Sequence, residues 1–374
     1  MRRDLAKALD VTVDVLTIMH ADGAGCYGHN GADDVALDAV LLARETPGRA
    51  VKVQWMREDE FAWEPYGSAM VVKTEAALDA GGNIVEWRMD VWSHPHSTRP
   101  AGKDGVNLVA AWHLGTPKPA ATPANPALPA GGSHRNAIPL YDFPRQRVTN
   151  HLVMRSPLRA SALRSLGAHA NVFAIESFMD ELAAAAGADP VEFRLRHLKD
   201  PRGRAVIETA ARQSGWRPGA PGDGMRGRGI GFARYKNLGC YVAVVTEVDV
   251  NTVPRVVRAW AAVDVGLVVN SDGVINQIEG GVIQAASMTL KEAVHFDSVR
   301  VTSRTWDDYP VMKFTEAPQV EVTLVSRPDQ PPLGAGEGAT GPTAAAIANA
   351  IAAALGVRVR DMPITRERVI AALA

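Results

Sequence analysis

A single carboxylate inside a run of glycines is the feature of this chain most suited to chemistry. Glu337 lies in residues 333–342, LGAGEGATGP, which lead into an alanine-rich segment at 343–355. That segment is apolar on nearly every face and predicts a buried helix, whose free N–H groups and dipole favour negative charge at its start. The carboxylate can therefore either cap the helix or face a ligand.

A second glycine-rich stretch lies near the start of the chain, at residues 20–34, HADGAGCYGHNGADD. It separates a predicted strand at 11–19 from a predicted helix at 33–44. Small residues let backbone amides approach a phosphate or an oxo group. No Gly-Lys-Ser/Thr triplet follows, so the stretch is not a phosphate-binding P-loop. By itself it is either an anion cradle or a plain tight turn.

The composition narrows the classes of function. The chain has 374 residues, 47% of them hydrophobic, and a net charge of −1, which is typical of a globular protein of two or more domains. The near-neutral charge gives no reason to expect nucleic-acid binding. The two cysteines, Cys26 and Cys240, exclude a disulfide framework and a four-cysteine zinc or iron–sulfur site within the chain. A redox metal would have to be held by other groups.

The beginning of the chain does not resemble a signal peptide. Asp4, Asp10 and Asp14 interrupt the segment where a hydrophobic region would stand. No stretch reaches the roughly twenty apolar residues of a membrane helix. We therefore expect a cytoplasmic protein, with partner chains as the route to a periplasmic or membrane-associated position.

The pattern of elements predicts an α+β fold in which helices pack on mixed sheets. Strands are expected at 11–19, 50–55, 69–77, 84–91, 229–235, 240–250, 255–263 and 320–325, with a hairpin loop at 79–83. Helices are expected at 172–186, 190–198, 205–214, 274–293 and 343–355, and a brief helix or turn is expected at 57–63.

Two of these helices carry more specific expectations. The helix at 172–186 has an apolar stripe and holds Glu176 and Asp180, with Glu181, on its opposite side. The helix at 274–293 contains Gly280 and Gly281, each of which costs about 1 kcal/mol relative to alanine. Another group is therefore expected to approach that glycine pair closely.

The proline-rich residues 114–133 cannot form a helix or a central strand, because proline removes backbone donors and fixes an extended geometry. They predict a long surface excursion. It is a lid, a partner-binding arm or a disordered insertion.

Three separated motifs resemble the molybdenum-binding subunit of the xanthine oxidase family. They are NQIEGGVIQ at 276–284, GEGATGP at 336–342, and RSLG at 164–167 followed by NVFAIESFMDEL at 171–182. The bacterial isoquinoline 1-oxidoreductase and nicotinate dehydrogenase large subunits form the branch that is most similar. The resemblance covers essentially the whole chain, and several long motifs in one order are far more specific than a single glycine loop.

The resemblance assigns roles to individual residues. Glu337 matches the base beside molybdenum, and Arg164 matches an active-site arginine region. Leu166 stands where some members have a substrate-stacking aromatic, and His29 follows the glycine loop at a variable position, so both are assigned to the substrate pocket and the substrate cannot be inherited. The residues expected along the cofactor, besides Arg164, are Gly25, Cys26, Tyr27, Gly28, Gln277, Gly280, Gly336 and Gly338. In this family the pterin dithiolene holds the metal, so no protein side chain is expected to ligate it.

The resemblance also implies a reaction. Family members hydroxylate an N-heteroaromatic compound or oxidise an aldehyde with water as the oxygen source, using a molybdenum–molybdopterin cofactor that in some members is the cytosine dinucleotide form. Electrons leave through 2Fe-2S clusters, here expected on a partner chain, and a cytochrome is a further candidate acceptor.

The chain looks like the C-terminal half of such a subunit. A glycine-glutamine-glycine motif that the family carries upstream is not found. The chain is therefore expected to be either one product of a split subunit, with a second chain that supplies the N-terminal half, or a truncated reading frame. Residues 1–215 and 216–374 would then be portions of two molybdopterin-binding subdomains. Two other interpretations stay open: a non-catalytic remnant or assembly partner, and a nucleotide-binding α+β protein.

Overall fold

The computed structural model describes residues 1–23, 25, 27–28, 33–100, 102–219 and 222–374. The helices are α1 (Arg2–Leu9), α2 (Val35–Glu45), α3 (Arg57–Trp63), α4 (Ala168–Ala185), α5 (Pro190–Arg196), α6 (Pro201–Ser214), α7 (Ser271–Leu290), α8 (Thr340–Leu355) and α9 (Arg366–Leu373). The strands are β1 (Tyr66–Gly67), β2 (Met70–Leu78), β3 (Ile84–Ser93), β4 (Gln146–Leu152), β5 (Ala160–Ser161), β6 (Arg226–Arg234), β7 (Tyr241–Asp249), β8 (Arg255–Asp264) and β9 (Gln319–Leu324).

The strands form separate mixed sheets, which confirms the predicted α+β class. The larger sheet has the order β6-β7-β8-β9, antiparallel except for the parallel β8–β9 pair. A second sheet has the order β2-β3-β4, with β3 and β4 parallel, and β1 pairs with β5. Buried side chains of α4, α5 and α6 pack with those of β3, β6 and β7 in one core, which therefore includes residues on both sides of 215. The division at 215 stays a prediction.

Small residues bring α8 unusually close to β6. A Cβ added at Gly229 would overlap the backbone of Ala346 and Ala350, and one at Gly231 would overlap the carbonyl of Pro342. The contacts show that α8 runs antiparallel to β6, so the residues that precede α8 meet those that follow β6. This packing places Glu337 near Tyr235.

The predicted polar side of the helix at 172–186 does not face solvent. In α4, Glu176 and Asp180 are buried, and Arg194 donates to both, through Nε to Glu176 Oε2 at 2.7 Å and through Nη1 to Asp180 Oδ1 at 2.6 Å. Glu181 is half-buried and pairs with Arg360. The side opposite the apolar stripe is therefore also buried at Glu176 and Asp180, because α5 supplies a cation that makes their burial tolerable.

Two predicted strands are absent from the described residues. Residues 11–19 contain a 3₁₀ turn at Val13–Val15 and are preceded by the unpredicted helix α1, and residues 50–55 form no strand. Alternating side chains satisfy only half of the requirement for a strand, because the backbone must also find a partner. The hairpin at 79–83, α3 and the predicted strands at 69–77, 84–91, 229–235, 240–250, 255–263 and 320–325 are confirmed.

The remaining predicted helices are present, and α6 begins at Pro201, four residues before its predicted start. Asp189 caps α5 by accepting from the amides of Val191 and Glu192, and Asp200 caps α6 in the same way. The short strands β1, β4 and β5 and the helix α9 were not predicted. None of the described helices has the length and apolar character needed to cross a bilayer.

Candidate active site

Glu337 does not cap the helix that follows it. The N-cap of α8 is Ala339, and no side chain makes a capping hydrogen bond there. The Glu337 carboxylate turns instead to the loop before α4, where its Oε1 accepts from the Ser165 amide at 2.9 Å. Its side chain keeps 32% of its surface exposed. The helix-cap interpretation is therefore wrong, and the carboxylate is held in place while part of it stays accessible.

The loop that holds Glu337 has an unusual backbone. Ser165 and Leu166 both adopt left-handed conformations, with φ of 72° and 52°. Such residues cost free energy and persist only where their surroundings enforce them. Gly167, which follows, allows the chain to pass so close to Gly132 and Ser133 that a Cβ would overlap their carbonyls. The half-buried Leu166 thus lies beside Ser165 in a tightly enclosed turn.

Arg164 joins this loop to the Glu337 loop and to α7. Its Nε donates to the Gly336 carbonyl at 2.7 Å, and its Nη2 donates to the Gln277 carbonyl at 3.0 Å and to the Gln277 side chain at 3.2 Å. Its Nη1 donates to Gln284 Oε1 at 3.2 Å. One buried guanidinium therefore ties together three segments that are far apart in the chain.

The glycine pair of α7 faces this guanidinium. A Cβ added at Gly280 would lie 3.9 Å from Arg164 Nη1, and one at Gly281 would lie 3.1 Å from the Cβ of Ala339. The expectation of a close approach is confirmed at Gly281, whereas an added Cβ at Gly280 would make an ordinary van der Waals contact. Gly336 also lies near α7, since its added Cβ would stand 3.6 Å from Gln277 Oε1.

The first glycine loop reaches the same place. The Tyr27 carbonyl accepts from the Arg164 amide at 2.8 Å. Gly28 has a φ of 94°, and a Cβ there would stand 2.9 Å from the Ala162 carbonyl. An added Cβ at Gly25 would meet the Tyr27 ring, 2.5 Å from its nearest atom. The predicted residues Cys26 and His29 lie outside the described residues.

Sequence reasoning missed two residues beside Glu337. Arg135 is buried, and its Nη1 donates to the Tyr235 hydroxyl and lies 4.0 Å from Glu337 Oε1. Burial, the Glu337 charge and a hydrogen bond with Glu337 raise the pKa of Tyr235 well above its usual value, so the hydroxyl stays protonated. No motif marks either residue in the sequence. Tyr235 could have been found only from the antiparallel packing of α8 on β6.

The proline-rich segment holds Arg135 in place. Arg135 Nε donates to the Ala130 carbonyl at 2.7 Å, and its Nη2 donates to the Gly131 carbonyl at 3.1 Å. Asn171 of α4 donates to the Ser133 carbonyl at 2.8 Å. These bonds favour an ordered arm over a disordered insertion, and they make its end part of the wall beside Glu337.

Gly338 allows the Glu337 loop to pass the strand β7. A Cβ added at Gly338 would overlap the Cys240 sulfur, and Cys240 is itself buried. Burial raises the pKa of the Cys240 thiol to about 12, so this sulfur stays protonated and packs as a small apolar group. In the ranges that the structure covers, no group of three or more His, Cys, Asp or Glu side chains could hold a metal ion.

Comparison with known proteins gives this arrangement a context. A family model described as a molybdopterin cofactor-binding domain matches residues 145–318. A nicotinate dehydrogenase subunit of Pseudomonas putida is 41% identical over 389 residues, which cover 100% of this chain and 31% of that protein. The beta subunit of isoquinoline 1-oxidoreductase of Brevundimonas diminuta is 33% identical over 364 residues, covering 96% of this chain and 44% of that protein. The chain thus spans less than half the length of these relatives.

Solved structures share the fold. Quinoline 2-oxidoreductase from Pseudomonas putida 86 superposes with a TM-score of 0.75 at 15% identity, covering 100% of this chain and 70% of that one. Aldehyde oxidoreductase from Desulfovibrio gigas gives a TM-score of 0.75 at 17% identity, covering 99% of this chain and 56% of that one. At these identities the match concerns the fold.

Proposed function

We propose that this chain, which belongs to the family of molybdenum hydroxylases, forms part of the molybdopterin-binding subunit of a multi-subunit oxidoreductase. The proposed reaction is hydroxylation of an N-heteroaromatic compound with water as the source of oxygen. Oxidation of an aldehyde is the alternative within the family. The names of the two curated relatives, which refer to nicotinate and isoquinoline, support the heteroaromatic class.

One observation carries the proposal. The Glu337 carboxylate is held by the Ser165 amide but remains partly exposed, at the place where α7 and both glycine-rich loops converge. A structural carboxylate would be expected to end in a cap or a close ion pair, and this one does neither. A fixed, accessible carboxylate is what proton abstraction requires.

The surrounding residues fit the molybdopterin cofactor. Gly28, Gly280 and Gly336 present backbone without side chains, and the Gln277 side chain adds an amide beside them. Backbone amides and an amide side chain are suited to the polar pterin and to phosphate oxygens. When bound, the cofactor would supply the chemistry of oxygen transfer and accept the electrons removed from the substrate. We assign the same cofactor-binding role to Gly25, Cys26, Tyr27 and Gly338. We assign Leu166 and His29 to the substrate pocket.

The chain's own residues would prepare Glu337 for its role. The Ser165 amide and the Tyr235 hydroxyl orient the carboxylate, and Arg164 holds the loop that carries it. Glu337 would accept a proton during the reaction and release it afterwards. The wall formed by Arg135 and the proline-rich arm would limit the access of water.

Partners complete the proposed enzyme. A second polypeptide portion would supply the part of the molybdenum subunit that this chain does not match, and a partner with 2Fe-2S clusters would take up the electrons. A cytochrome is a further candidate acceptor. We further propose that the cofactor is the cytosine dinucleotide form. We also propose that the protein is cytoplasmic unless its partners place it elsewhere.

Elemental analysis provides the first test. We expect molybdenum in the chain when it is co-purified with the products of its neighbouring genes, and little in the chain purified alone. Metal in neither preparation would contradict the proposal and favour a non-catalytic remnant. Stoichiometric metal and turnover in the chain alone would contradict the need for a second portion.

Replacement of the base then tests its role. In the loaded complex, Glu337→Gln should lower kcat by about a hundredfold or more, because the amide cannot accept the proton. Molybdenum content and thermal stability should stay unchanged. Glu208→Gln, on the exposed face of α6, is the matched control and should retain full activity. Retention of wild-type kcat by Glu337→Gln would exclude Glu337 as the base.

A further inference from the structure

The turn after β6 is strained and is held from several sides. Lys236 and Asn237 both adopt left-handed conformations, with φ of 56° and 55°. The Lys236 amide donates to Asn136 Oδ1 at 2.8 Å, and Asn136 in turn donates to the Arg234 carbonyl at 2.8 Å. Asn237 Nδ2 donates to the Ile138 carbonyl at 2.9 Å. Two adjacent left-handed residues, neither of them glycine, suggest that the position of a side chain matters here.

The side chain that the turn presents is a cation beside Glu337. Lys236 Nζ lies 5.2 Å from the centroid of the Tyr235 ring, and the residue is half-buried. The Cζ atom of Arg135 lies 5.5 Å from the same centroid. The Lys236 ammonium therefore stands next to a tyrosine whose hydroxyl already contacts Glu337 and Arg135.

More positively charged side chains than carboxylates surround Glu337. Arg135, Arg164 and Lys236 all interact electrostatically with this one carboxylate. The guanidinium groups of both arginines are occupied by hydrogen bonds to carbonyl, amide or hydroxyl oxygens. The Lys236 ammonium forms no ion pair with any residue that the structure describes. Burial and the neighbouring Arg135 lower its pKa, which is the expected response of a cation that lacks a close anion.

We propose that the Lys236 ammonium, with Arg135 beside it, binds an acidic group of the substrate, so that the preferred substrates are N-heteroaromatic compounds with a carboxylate substituent. This inference rests on the proposed function and specifies its substrate class. An anionic oxygen group is the ligand chemistry that a half-buried ammonium favours. Because the ammonium and Glu337 flank the same tyrosine, an anchored acidic group would fix the ring of the substrate relative to the base.

A phosphate of the cofactor is the other possible source of such a group. The position of the turn favours the substrate. The glycine surface assigned to the cofactor is built from α7, Gly28 and Gly336, which Arg164 ties together. The turn at 235–237 is bonded instead to Asn136 and Ile138, next to the proline-rich arm.

The test compares a pyridine carboxylate with the corresponding carboxamide, which has the same ring and a neutral substituent. Binding to the co-purified complex is measured by calorimetry without an electron acceptor, and oxidation is measured with one. We expect the wild-type complex to favour the carboxylate at least about tenfold in affinity and in kcat/KM. Lys236→Gln should remove most of this preference, a loss of about tenfold to a hundredfold, because a hydrogen bond to a charged group is lost. Binding of the carboxamide should change less than about twofold.

Two further variants keep the test decisive. Lys236→Arg preserves the charge and should retain the preference within a few fold, whereas Lys199→Gln, at an exposed lysine, should change nothing. A wild-type complex without preference, or a Lys236→Gln complex that retains it, would overturn the inference. Loss of molybdenum or pterin from Lys236→Gln would assign the ammonium to a cofactor phosphate and would also overturn it. If the proposed function itself is wrong, the complex should contain no molybdenum or should oxidise neither compound. Calorimetry would still measure whether Lys236 favours binding of the carboxylate over the carboxamide.

Discussion

Two clusters in this molecule contain the same three residue types and arrange them differently. The closed cluster consists of Glu176, Tyr141 and Arg194, and the open cluster consists of Glu337, Tyr235 and Arg135. In the closed cluster Arg194 Nε donates to Glu176 Oε2 at 2.7 Å, whereas in the open cluster the nearest guanidinium nitrogen lies 4.0 Å from Glu337. The Glu176 side chain is 1% exposed and the Glu337 side chain is 32% exposed.

The difference lies in how far the hydrogen bonds of each carboxylate are satisfied. Glu176 accepts from Tyr141, Arg194 and the Phe232 amide, so both of its oxygens are occupied. Glu337 accepts from the Ser165 amide and contacts Tyr235, while Arg135 is directed mainly to the carbonyls of the proline-rich arm. A fully paired carboxylate joins helices and strands together. A partly paired one remains available to a ligand.

Removal of the arginine of the closed cluster should have the largest effect on stability. Arg194→Met leaves Glu176 buried without a cation and leaves Asp180 with only Arg358, 3.8 Å away, which costs about 3–5 kcal/mol. We expect this loss in the free energy of unfolding from urea denaturation. Arg135→Met should cost less, because it leaves no fully buried carboxylate unpaired. Equal losses in the two variants would contradict the distinction between the clusters.

The loss in Arg194→Met should also depend on pH. Burial raises the pKa of Glu176 and of Asp180 above their usual values. The folded protein therefore holds protons more tightly than the unfolded chain, and a contribution of this kind is lost as the pH rises. Without Arg194 this effect should grow, so the variant should be closer to wild type near pH 4 than near pH 8. A loss that is constant across this range would argue against buried carboxylates as its cause.

Arg164 should show an intermediate effect on stability and a large one on turnover. Arg164→Met leaves the Gly336 carbonyl and the Gln277 groups without their donor, at a cost of about 1–3 kcal/mol. Because Gly336 precedes Glu337, kcat of the loaded complex should fall as well. Thermal unfolding and steady-state kinetics would measure both. Wild-type turnover in this variant would show that the guanidinium does not position the loop.

Replacing the tyrosine of each cluster should have the smallest effects on stability, and it should separate a change in stability from a change in kcat most clearly. Tyr141→Phe removes the hydroxyl that donates to Glu176 Oε1 at 2.8 Å and should cost about 1 kcal/mol of stability without changing kcat. Tyr235→Phe should cost no more stability but should lower kcat in the loaded complex, because Glu337 loses an orienting hydrogen bond. Parallel denaturation and kinetic measurements on both variants would check this. A drop in kcat in both, or in neither, would remove the functional difference between the clusters.

Local sequence determined the types of most elements and the first outline of the site. The capped helix α5, the hairpin at 79–83 and the glycine-flanked Glu337 were readable because caps, turns and alternation act within a few residues. The resemblance to a known family supplied the association of Glu337 with Arg164 and Gln277. The structure places these residues together, although their roles remain proposals.

Only the tertiary structure decided the surroundings of these residues. Arg135 and Tyr235 carry no motif, and they reach Glu337 because the glycines of β6 let α8 pack against it in the antiparallel sense. Residues 11–19 alternate like a strand but remain unpaired in the described chain, because a strand depends on a partner that its own sequence does not contain. Glu176 is buried for a similar reason, since Arg194 supplies the charge that makes its burial possible. Sequence acts locally on the backbone, whereas charge pairing and strand pairing depend on residues that only folding brings near.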